Sequence, residues 1–412
     1  MAMRGRRATV GATIGLLLAV NAVVVGVRAG DRRAGTPIAS AGDTGASSAA
    51  LGLTGLATQQ EPGVTLPAPS PGSPGPSTTV QAPSKGGSST TARPATAPSS
   101  STSTTAVASV SVGISGPGLY VVNADGTQPR KLVGSLGQFS WSPDGTRLAY
   151  GDGGDLIVVR ADGTGRTTLP AQGALSPAWS PDGSRISYAR SGGGVYVVRG
   201  DGSRPATLVD PHAHLTAWTP DGRIVVITTP LSGFSSVVIY DDAGGRRVIA
   251  ADANTIVQPA PSPDGRLVAY MSNRVLVAGI DGSGSRPLTE MCCGSESVGS
   301  PLRWSPDSRL VAFIDQGDVK VVGSDGSRER VLVPRATSPD WSPDGRRLAV
   351  ADQQGMRADG LIHMTLGVVD ADGSNRRTVL DAGQKLSVHE PQWSPNGRQL
   401  AAVVAGPFTL PG

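Results

Sequence analysis

The sequence predicts an all-β fold, a seven-bladed β-propeller with four-stranded blades, and a repeat in the chain is the main reason. The segment Trp141-Ser142-Pro143-Asp144-Gly145 is followed by Thr146-Arg147-Leu148-Ala149-Tyr150, and the pattern recurs six times. The lead positions are Trp141, Trp179, Trp218, Pro261, Trp304, Trp341 and Trp393. They are 37 to 52 residues apart and include all six tryptophans of the chain. A period of about 40 residues is typical of propeller blades.

Two kinds of turn in each repeat predict the four strands. In Ser-Pro-Asp-Gly, proline presets the first turn angle, aspartate accepts hydrogen bonds from nearby backbone amides, and glycine adopts a left-handed angle. A second turn, Asp-Gly, follows Val-rich strands such as Leu156 to Arg160, which is a hairpin signal. One turn joins the first and second strands of a blade and the other joins the third and fourth, so both turns lie on one face of the ring. Ser308, which replaces the turn glycine, should cost about 1 kcal/mol if the left-handed angle is kept.

The last blade is predicted to be assembled from both ends of the propeller. The seventh repeat has no Val-rich strand pair after Gln399 to Val404, whereas an unpartnered pair, Leu119 to Asn123 and Arg130 to Val133, precedes the first repeat. Combining the two pairs completes a seventh blade and removes the open sheet edges that would invite aggregation.

The pattern Trp-Ser-Pro-Asp-Gly-x-x-Leu-Ala-Tyr/Phe with a following Val-Val-x-x-Asp-Gly resembles the WD40-like PD40 repeat of TolB-type propellers. The resemblance covers about residues 116–407 and implies a propeller. TolB itself has a small α/β domain before a six-bladed propeller, whereas this chain has seven repeats.

The region before the repeats predicts a membrane anchor and a linker. Residues 1–34 contain an apolar run at 8–27, about the length that spans a bilayer, which favours a signal anchor; a cleaved signal peptide is the alternative. Residues 35–112 are rich in Ser, Thr, Pro, Ala and Gly, a composition typical of a disordered stalk. Residues 113–412 form the propeller, which we expect on the extracytoplasmic side of the membrane, or secreted if the segment is cleaved.

The basic charge of the chain lies mainly outside the propeller. Eight of the 36 Lys and Arg residues, but only three of the 32 acidic residues, precede residue 113, so the repeats carry a net charge of −1. The propeller therefore lacks the electrostatic footprint of a nucleic-acid-binding protein.

The face opposite the repeated turns carries the segments that differ between repeats, and binding residues collect in such segments. We expect the four histidines there, in loops, together with an acidic residue and the two cysteines: His212, His214, His363, His389, Glu390, Cys292 and Cys293. Solvated loop histidines are the simpler interpretation, and metal ligands are the alternative. The adjacent cysteines can form a vicinal disulfide or remain free thiols.

The favoured function is a non-enzymatic scaffold that binds a protein or a cell-envelope polymer through the loop-rich face, with no cofactor. The alternative is a metal-assisted glycan lyase or hydrolase with a histidine site at the mouth of the channel. The enzyme needs at least three ligands that converge, whereas the scaffold needs only an exposed surface.

Overall fold

The computed structural model describes residues 114–134, 137–229, 234–252, 256–290, 292, 301–356, 361–383 and 385–406. The predicted anchor and stalk lie outside this part of the chain. Over the described residues, no helix has the length and apolar character needed to cross a bilayer. The described chain forms seven antiparallel sheets of four strands each, as the repeats predict.

Six of the sheets are blades that follow the chain in order. The strands of blades 1 to 3 are β3 (Phe139–Trp141), β4 (Arg147–Asp152), β5 (Asp155–Arg160), β6 (Thr167–Gln172), β7 (Ala174–Trp179), β8 (Arg185–Arg190), β9 (Val195–Arg199), β10 (Thr207–Asp210), β11 (Ala213–Trp218), β12 (Ile224–Thr228), β13 (Ser235–Tyr240) and β14 (Arg246–Asp252). The strands of blades 4 to 6 are β15 (Val257–Pro261), β16 (Leu267–Met271), β17 (Val275–Gly279), β18 (Ser285–Pro287), β19 (Arg303–Trp304), β20 (Leu310–Asp315), β21 (Asp318–Gly323), β22 (Arg330–Val333), β23 (Ala336–Trp341), β24 (Arg347–Met356), β25 (Ile362–Asp370) and β26 (Arg377–Leu380).

Blade 7 joins the two ends of the described chain, as predicted. Its strands are β1 (Gly118–Asn123), β2 (Arg130–Val133), β27 (Ser387–Trp393) and β28 (Gln399–Ala405), in the order β2-β1-β28-β27. Strands β1 and β28 pair antiparallel from Gly118↔Val404 to Asn123↔Gln399. Both ends of the described propeller therefore lie on the loop-rich face.

The lead tryptophans hold neighbouring blades together. The indole Nε1 of Trp141, Trp218 and Trp304 donates to the carbonyl of Gln392, Ala178 and Ala260, at 3.3, 3.0 and 2.8 Å. Each acceptor directly precedes the lead residue of the previous blade.

Arginines of the preceding blade cover the indole rings of some lead tryptophans. The Arg147 guanidinium lies 4.7 Å from the centre of the Trp179 ring, and Arg347 lies 4.9 Å from that of Trp393. The lead tryptophans therefore link adjacent sheets in two ways, some through the indole N–H group and some through the ring face.

The Ser-Pro-Asp-Gly turns form as predicted. In the first turn, the Ser142 hydroxyl donates to Asp144 at 2.5 Å, and the Thr146 amide donates to the same carboxylate at 2.9 Å. The equivalent hydrogen bonds lower the pKa of Asp182 to about 2. Ser308 keeps the left-handed angle, with φ of 60°, so the predicted strain is present in the structure.

The core lies between the blades and is aliphatic, with one large ring from most blades. The second strand of blades 1, 2, 4 and 5 places a fully buried aromatic nine residues after the lead position: Tyr150, Tyr188, Tyr270 and Phe313. Val, Leu, Ile and Ala fill the rest of each layer. These layers fix the inner strands of the ring, and the inner strands form the site described below.

Candidate functional site: the central channel and the loop-rich face

The first strand of every blade faces the centre of the ring, and together these strands enclose a cavity of about 380 Å³. Each blade contributes the residue three positions before its lead residue. We call this set the channel ring; it consists of Gln138, Ser176, Leu215, Gln258, Pro301, Ser338 and Glu390. The channel ring differs in chemistry from blade to blade, in contrast to the repeated turns at the ends of the same strands.

Four members of the channel ring lie in β-bulges. Ser176, Gln258, Ser338 and Glu390 have φ angles of 49°, 64°, 50° and 48°, and the pairing of their strands shifts register at these points. Each precedes a proline, which has no amide hydrogen for the strand ladder and is tolerated at a bulge. Such bulges re-aim side chains and are frequent next to functional sites.

Two charged residues stand directly before lead tryptophans and connect three blades. The Arg303 Nε donates to Asp340 Oδ1 at 2.9 Å, and the Trp393 amide donates to Asp340 Oδ2 at 2.7 Å. Burial raises the pKa of Asp340, while Arg303 and the Trp393 amide oppose this shift. Blade 1 has a weaker version, in which the Trp179 amide donates to the Ser140 hydroxyl at 3.4 Å.

Glu390 is the charged member of the channel ring. Burial among the channel walls raises the pKa of its carboxyl, and the positive charge of Arg303 partly offsets that rise. Arg303 and Glu390 line the same cavity, but their side chains do not form an ion pair within the described residues. A space therefore separates two opposite charges on blades 5 and 7.

The opposite wall of the channel is neutral. Gln138 of blade 1 accepts a hydrogen bond from Ser176 of blade 2, and Leu215 of blade 3 and Gln258 of blade 4 complete this side. The channel is thus asymmetric, with charges on blades 5 to 7 and amides, hydroxyls and an aliphatic side chain on blades 1 to 4. A ligand in the cavity would have a defined orientation.

The prediction that the histidines lie in solvated loops is wrong for three of the four. His214, His363 and His389 lie in β11, β25 and β27, and so does Glu390 in β27, because the inner strands and the β24–β25 hairpin extend further than the turn pattern indicates. Only His212 is exposed, in the connection before β11. Its amide donates to Asp210 at 2.8 Å.

The environments of the strand histidines differ. Burial lowers the pKa of His389 to about 4 and lowers that of His214 as well. Both stand four positions before a lead tryptophan, but on blades 7 and 3. His363 is buried, and its Nε2 lies 3.0 Å from Asp381 Oδ1, which also accepts a hydrogen bond from the Gly383 amide at 2.8 Å.

The structure does not bring the candidate ligands together. Across the described ranges, no group of three or more His, Cys, Asp or Glu side chains is arranged to hold a metal ion. His363 pairs with Asp381 on blade 6, and Glu390 is close to Arg303 rather than to a second histidine.

Cys292 lies at the end of blade 4. Cys292 is disulfide-bonded, and the only other cysteine in the sequence is Cys293, which lies outside the described residues. The Cys292 amide donates to the Asn273 carbonyl at 3.1 Å, and its sulfur lies 3.2 Å from the Thr289 hydroxyl. These contacts attach the start of the long connection between blades 4 and 5 to the sheet.

The longest hairpin of the described chain projects from the loop-rich face. Strands β24 and β25 are 10 and 9 residues long and pair as far as Met356↔Ile362. Met356 is 78% exposed. The hairpin packs on β27, where the Ser387 hydroxyl donates to the Ile362 carbonyl at 3.2 Å.

A side-chain clamp holds the base of this hairpin. Asp352 of β24 pairs with Arg376, whose Nη1 also donates to the Pro334 carbonyl at 2.9 Å. The clamp connects blade 6 to the end of blade 5, so the hairpin rests on a fixed base.

Comparison with known proteins agrees with this architecture. The chain is similar to an oligogalacturonate lyase solved in complex with manganese, with a TM-score of 0.50 and 14% identity, over 65% of this chain and 88% of the other. At this identity the likeness shows the fold alone.

Two further solved structures are TolB proteins, the type whose repeat the sequence resembles. A structure described as a TolB from Agrobacterium tumefaciens has a TM-score of 0.44 and 18% identity, over 71% of this chain and 98% of the other. TolB from Acinetobacter baumannii has a TM-score of 0.41 and 16% identity, over 71% and 66%. No protein-family model matches the sequence, and no curated protein matches it significantly.

Of the channel ring, only Glu390 is among the residues predicted from the sequence; the other six members, Arg303 and its partner Asp340 were missed. A signal for the bulges was present, since a proline stands two positions before the lead residue in four repeats, as Pro177, Pro259, Pro339 and Pro391. Because proline within a strand marks a bulge or an edge, the residue before each proline is a candidate for the channel. Nothing local marks Arg303 and Asp340 as partners, since they belong to different blades.

Proposed function

We propose that the protein is a membrane-anchored, extracytoplasmic propeller that binds a protein or a cell-envelope polymer through its loop-rich face and does not catalyse a reaction. The observation that carries the proposal is the difference between the two faces. The turn face repeats one hydrogen-bonded motif, whereas the loop-rich face carries the β24–β25 hairpin, connections of unequal length and the mouth of the channel. Variable segments on a rigid scaffold are the usual place for recognition.

The predicted N-terminal segments support the location. An apolar run at residues 8–27 followed by a Pro-, Ser- and Thr-rich stretch is typical of an anchor and a spacer. Both ends of the described propeller lie on the loop-rich face, so a spacer that precedes β1 joins the domain on that face. A bound polymer or protein would then lie close to the attachment point.

A site-specific cross-linking experiment tests the proposal. A photoreactive amino acid is placed in the full-length protein at Met356 on the loop-rich face or, as the matched control, at Arg309 on the turn face. Arg309 is a fair control because its side chain is 83% exposed. We expect adducts in intact cells from Met356 and not from Arg309. Equal adducts from both positions, or none from Met356, would contradict the proposal.

Metal analysis tests the enzymatic alternative. The metal content of the full-length protein is measured before and after chelation, beside alanine variants of His212, His214, His363 and His389. Stoichiometric metal that two or more of these variants lose would replace the scaffold proposal with a metal-assisted lyase or hydrolase. Metal content that is negligible and equal in all variants leaves the scaffold proposal in place.

A further inference from the structure

We propose that the channel cavity is a binding site for a small zwitterion, whose ammonium group contacts Glu390 and whose carboxylate contacts Arg303. This site lies inside the ring and is separate from the surface contacts of the loop-rich face. A small ligand of this kind is a different chemical class from the protein or polymer proposed for that face.

The guanidinium group of Arg303 is held in a fixed orientation, but not all of its N–H groups donate hydrogen bonds. Only its Nε donates to Asp340, and within the described part of the chain its terminal nitrogens donate no hydrogen bond. Asp340 is itself held by the Trp393 amide at 2.7 Å, so the guanidinium has a fixed direction. A guanidinium fork with free terminal donors matches the geometry of a carboxylate.

The carboxyl group of Glu390 lacks a cationic partner, just as the terminal N–H groups of Arg303 lack an acceptor. No other described residue hydrogen-bonds or ion-pairs with its carboxyl group, although the charge of Arg303 acts on it through space. An enclosed carboxylate without a partner is unfavourable, and a cation of a ligand would stabilise it. The left-handed backbone at Glu390, with φ of 48°, is part of the bulge that places it in the channel ring.

The charges select the class of ligand. A simple anion would meet Arg303 but would be repelled by Glu390, and a simple cation would leave the terminal N–H groups of Arg303 without an acceptor. A zwitterion satisfies both groups without adding net charge to the channel. The cavity of about 380 Å³ has room for a molecule of amino-acid or dipeptide size, and Gln258 and Ser338 are available to its other polar groups.

Blocked and unblocked peptides test the proposal on the full-length protein. The probes are glycine, alanine, the free dipeptide Ala-Ala, its N-acetylated form and its C-terminal amide. Binding is measured by titration calorimetry and by tryptophan fluorescence, since Trp179 and Trp218 line the cavity. We expect saturable binding of the free dipeptide and at least about ten-fold weaker binding of each blocked form, because each has lost one charged hydrogen bond.

Two substitutions test which residue binds the ammonium group of the dipeptide and which binds its carboxylate. Glu390→Gln keeps the shape of the side chain and should abolish the difference between the free and N-acetylated dipeptides. Arg303→Lys keeps the charge without the fork and should weaken binding of the free dipeptide about ten-fold, while binding of the C-terminal amide changes little. Arg309→Ala, at an 83% exposed side chain on the turn face, is the control and should bind like the native protein.

The results that would overturn the proposal are specific. They are a lack of saturable binding of every probe up to tens of millimolar, equal binding of blocked and free dipeptides, or discrimination that persists in Glu390→Gln. A thermal unfolding curve for each variant shows whether lost binding reflects lost folding. If Arg303→Lys does not fold, the Glu390→Gln result alone still decides whether the proposal holds.

Discussion

The two ends of each inner strand follow different rules. At one end, the lead residue and the Ser-Pro-Asp-Gly turn repeat in almost every blade and form the same hydrogen bonds, as in Ser142 and Asp144. Three residues before the lead position in the chain, the channel ring contains amides, hydroxyls, a leucine, a proline and one glutamate. Only three residues therefore separate the lead position, which repeats and connects the blades, from the channel-ring position, which varies from blade to blade.

This difference shows how a repeat protein can vary its central residues without losing its fold. The turn end is stabilised by local chemistry and by one contact to the next blade, so each copy is nearly self-sufficient. The channel end faces a cavity, so we expect a change of side chain there to disturb the packing between blades less than a change at the turn end. Substitutions at the two ends should therefore have different consequences for stability and for binding.

The largest expected effect is at the turn end. Trp141→Ala removes a tryptophan that is 6% exposed and a hydrogen bond to Gln392 across the closing blade. We expect the free energy of unfolding to fall by about 3–5 kcal/mol, measured by urea denaturation. Met356→Ala, at a 78% exposed site, should change it by less than about 0.5 kcal/mol. Similar losses in the two variants would show that the lead position does not hold the ring together.

The next largest effect that we expect is a loss of stability at acidic pH that depends on His389, the neighbour of Glu390 in the channel ring. The pKa of His389 is about 4 in the fold and close to 6.5 in the unfolded chain. The unfolded state therefore binds more protons between these values, so stability that is present above pH 6.5 is lost as the pH falls towards 4.

His389→Gln should remove about 2–3 kcal/mol of the stability loss between pH 7 and pH 4. Urea denaturation at several pH values measures this slope. His212→Gln, at an exposed histidine, is the matched control and should keep the native slope. An unchanged slope in His389→Gln would mean that His389 is not the group that resists protonation.

The residue directly before the lead position should show an intermediate effect. Asp340→Asn removes the charge that pairs with Arg303 but keeps an acceptor for the Trp393 amide, and we expect a loss of about 1–2 kcal/mol. Ser140→Ala, which breaks only the 3.4 Å contact to Trp179, should cost less than about 0.5 kcal/mol. If Ser140→Ala were as costly as Asp340→Asn, the charge pair would not be special to blades 5 and 6.

The smallest expected effect concerns the one repeated turn in which glycine is replaced. Ser308 has a left-handed φ of 60°, and its hydroxyl accepts a hydrogen bond from the Asp264 amide of the preceding blade at 3.0 Å. Ser308→Gly relieves about 1 kcal/mol of backbone strain and loses a hydrogen bond of similar value, so stability should hardly change.

Ser308→Ala keeps the strain and loses the hydrogen bond, and it should destabilise by about 1 kcal/mol. Differential scanning calorimetry of the two variants gives the comparison. A clear gain of stability in Ser308→Gly would show that the contact to blade 4 contributes nothing.

The turn chemistry could be predicted from the sequence because it depends on residues close in the chain, and the blade number and the closing blade could be predicted because the repeats and their strand pairs can be counted. Proline and glycine restrict the turn of Pro143 and Gly145 wherever that turn occurs, and the strand pair that precedes the first repeat completes the seventh blade. The surroundings of His363 and His389 could not be predicted in this way. The length of a strand beyond its turn depends on packing against neighbouring blades, so positions expected in loops lie in β25 and β27.

By itself, therefore, the sequence determined the unit, its number and the face that carries the repeated turns. Only the tertiary structure decided which residues meet in the centre. Arg303, Asp340 and Glu390 come from three blades, and their proximity depends on the bulges and on the closure of all seven sheets. Contacts within a repeat are set by local backbone preferences, whereas contacts across the channel exist only after the ring has closed.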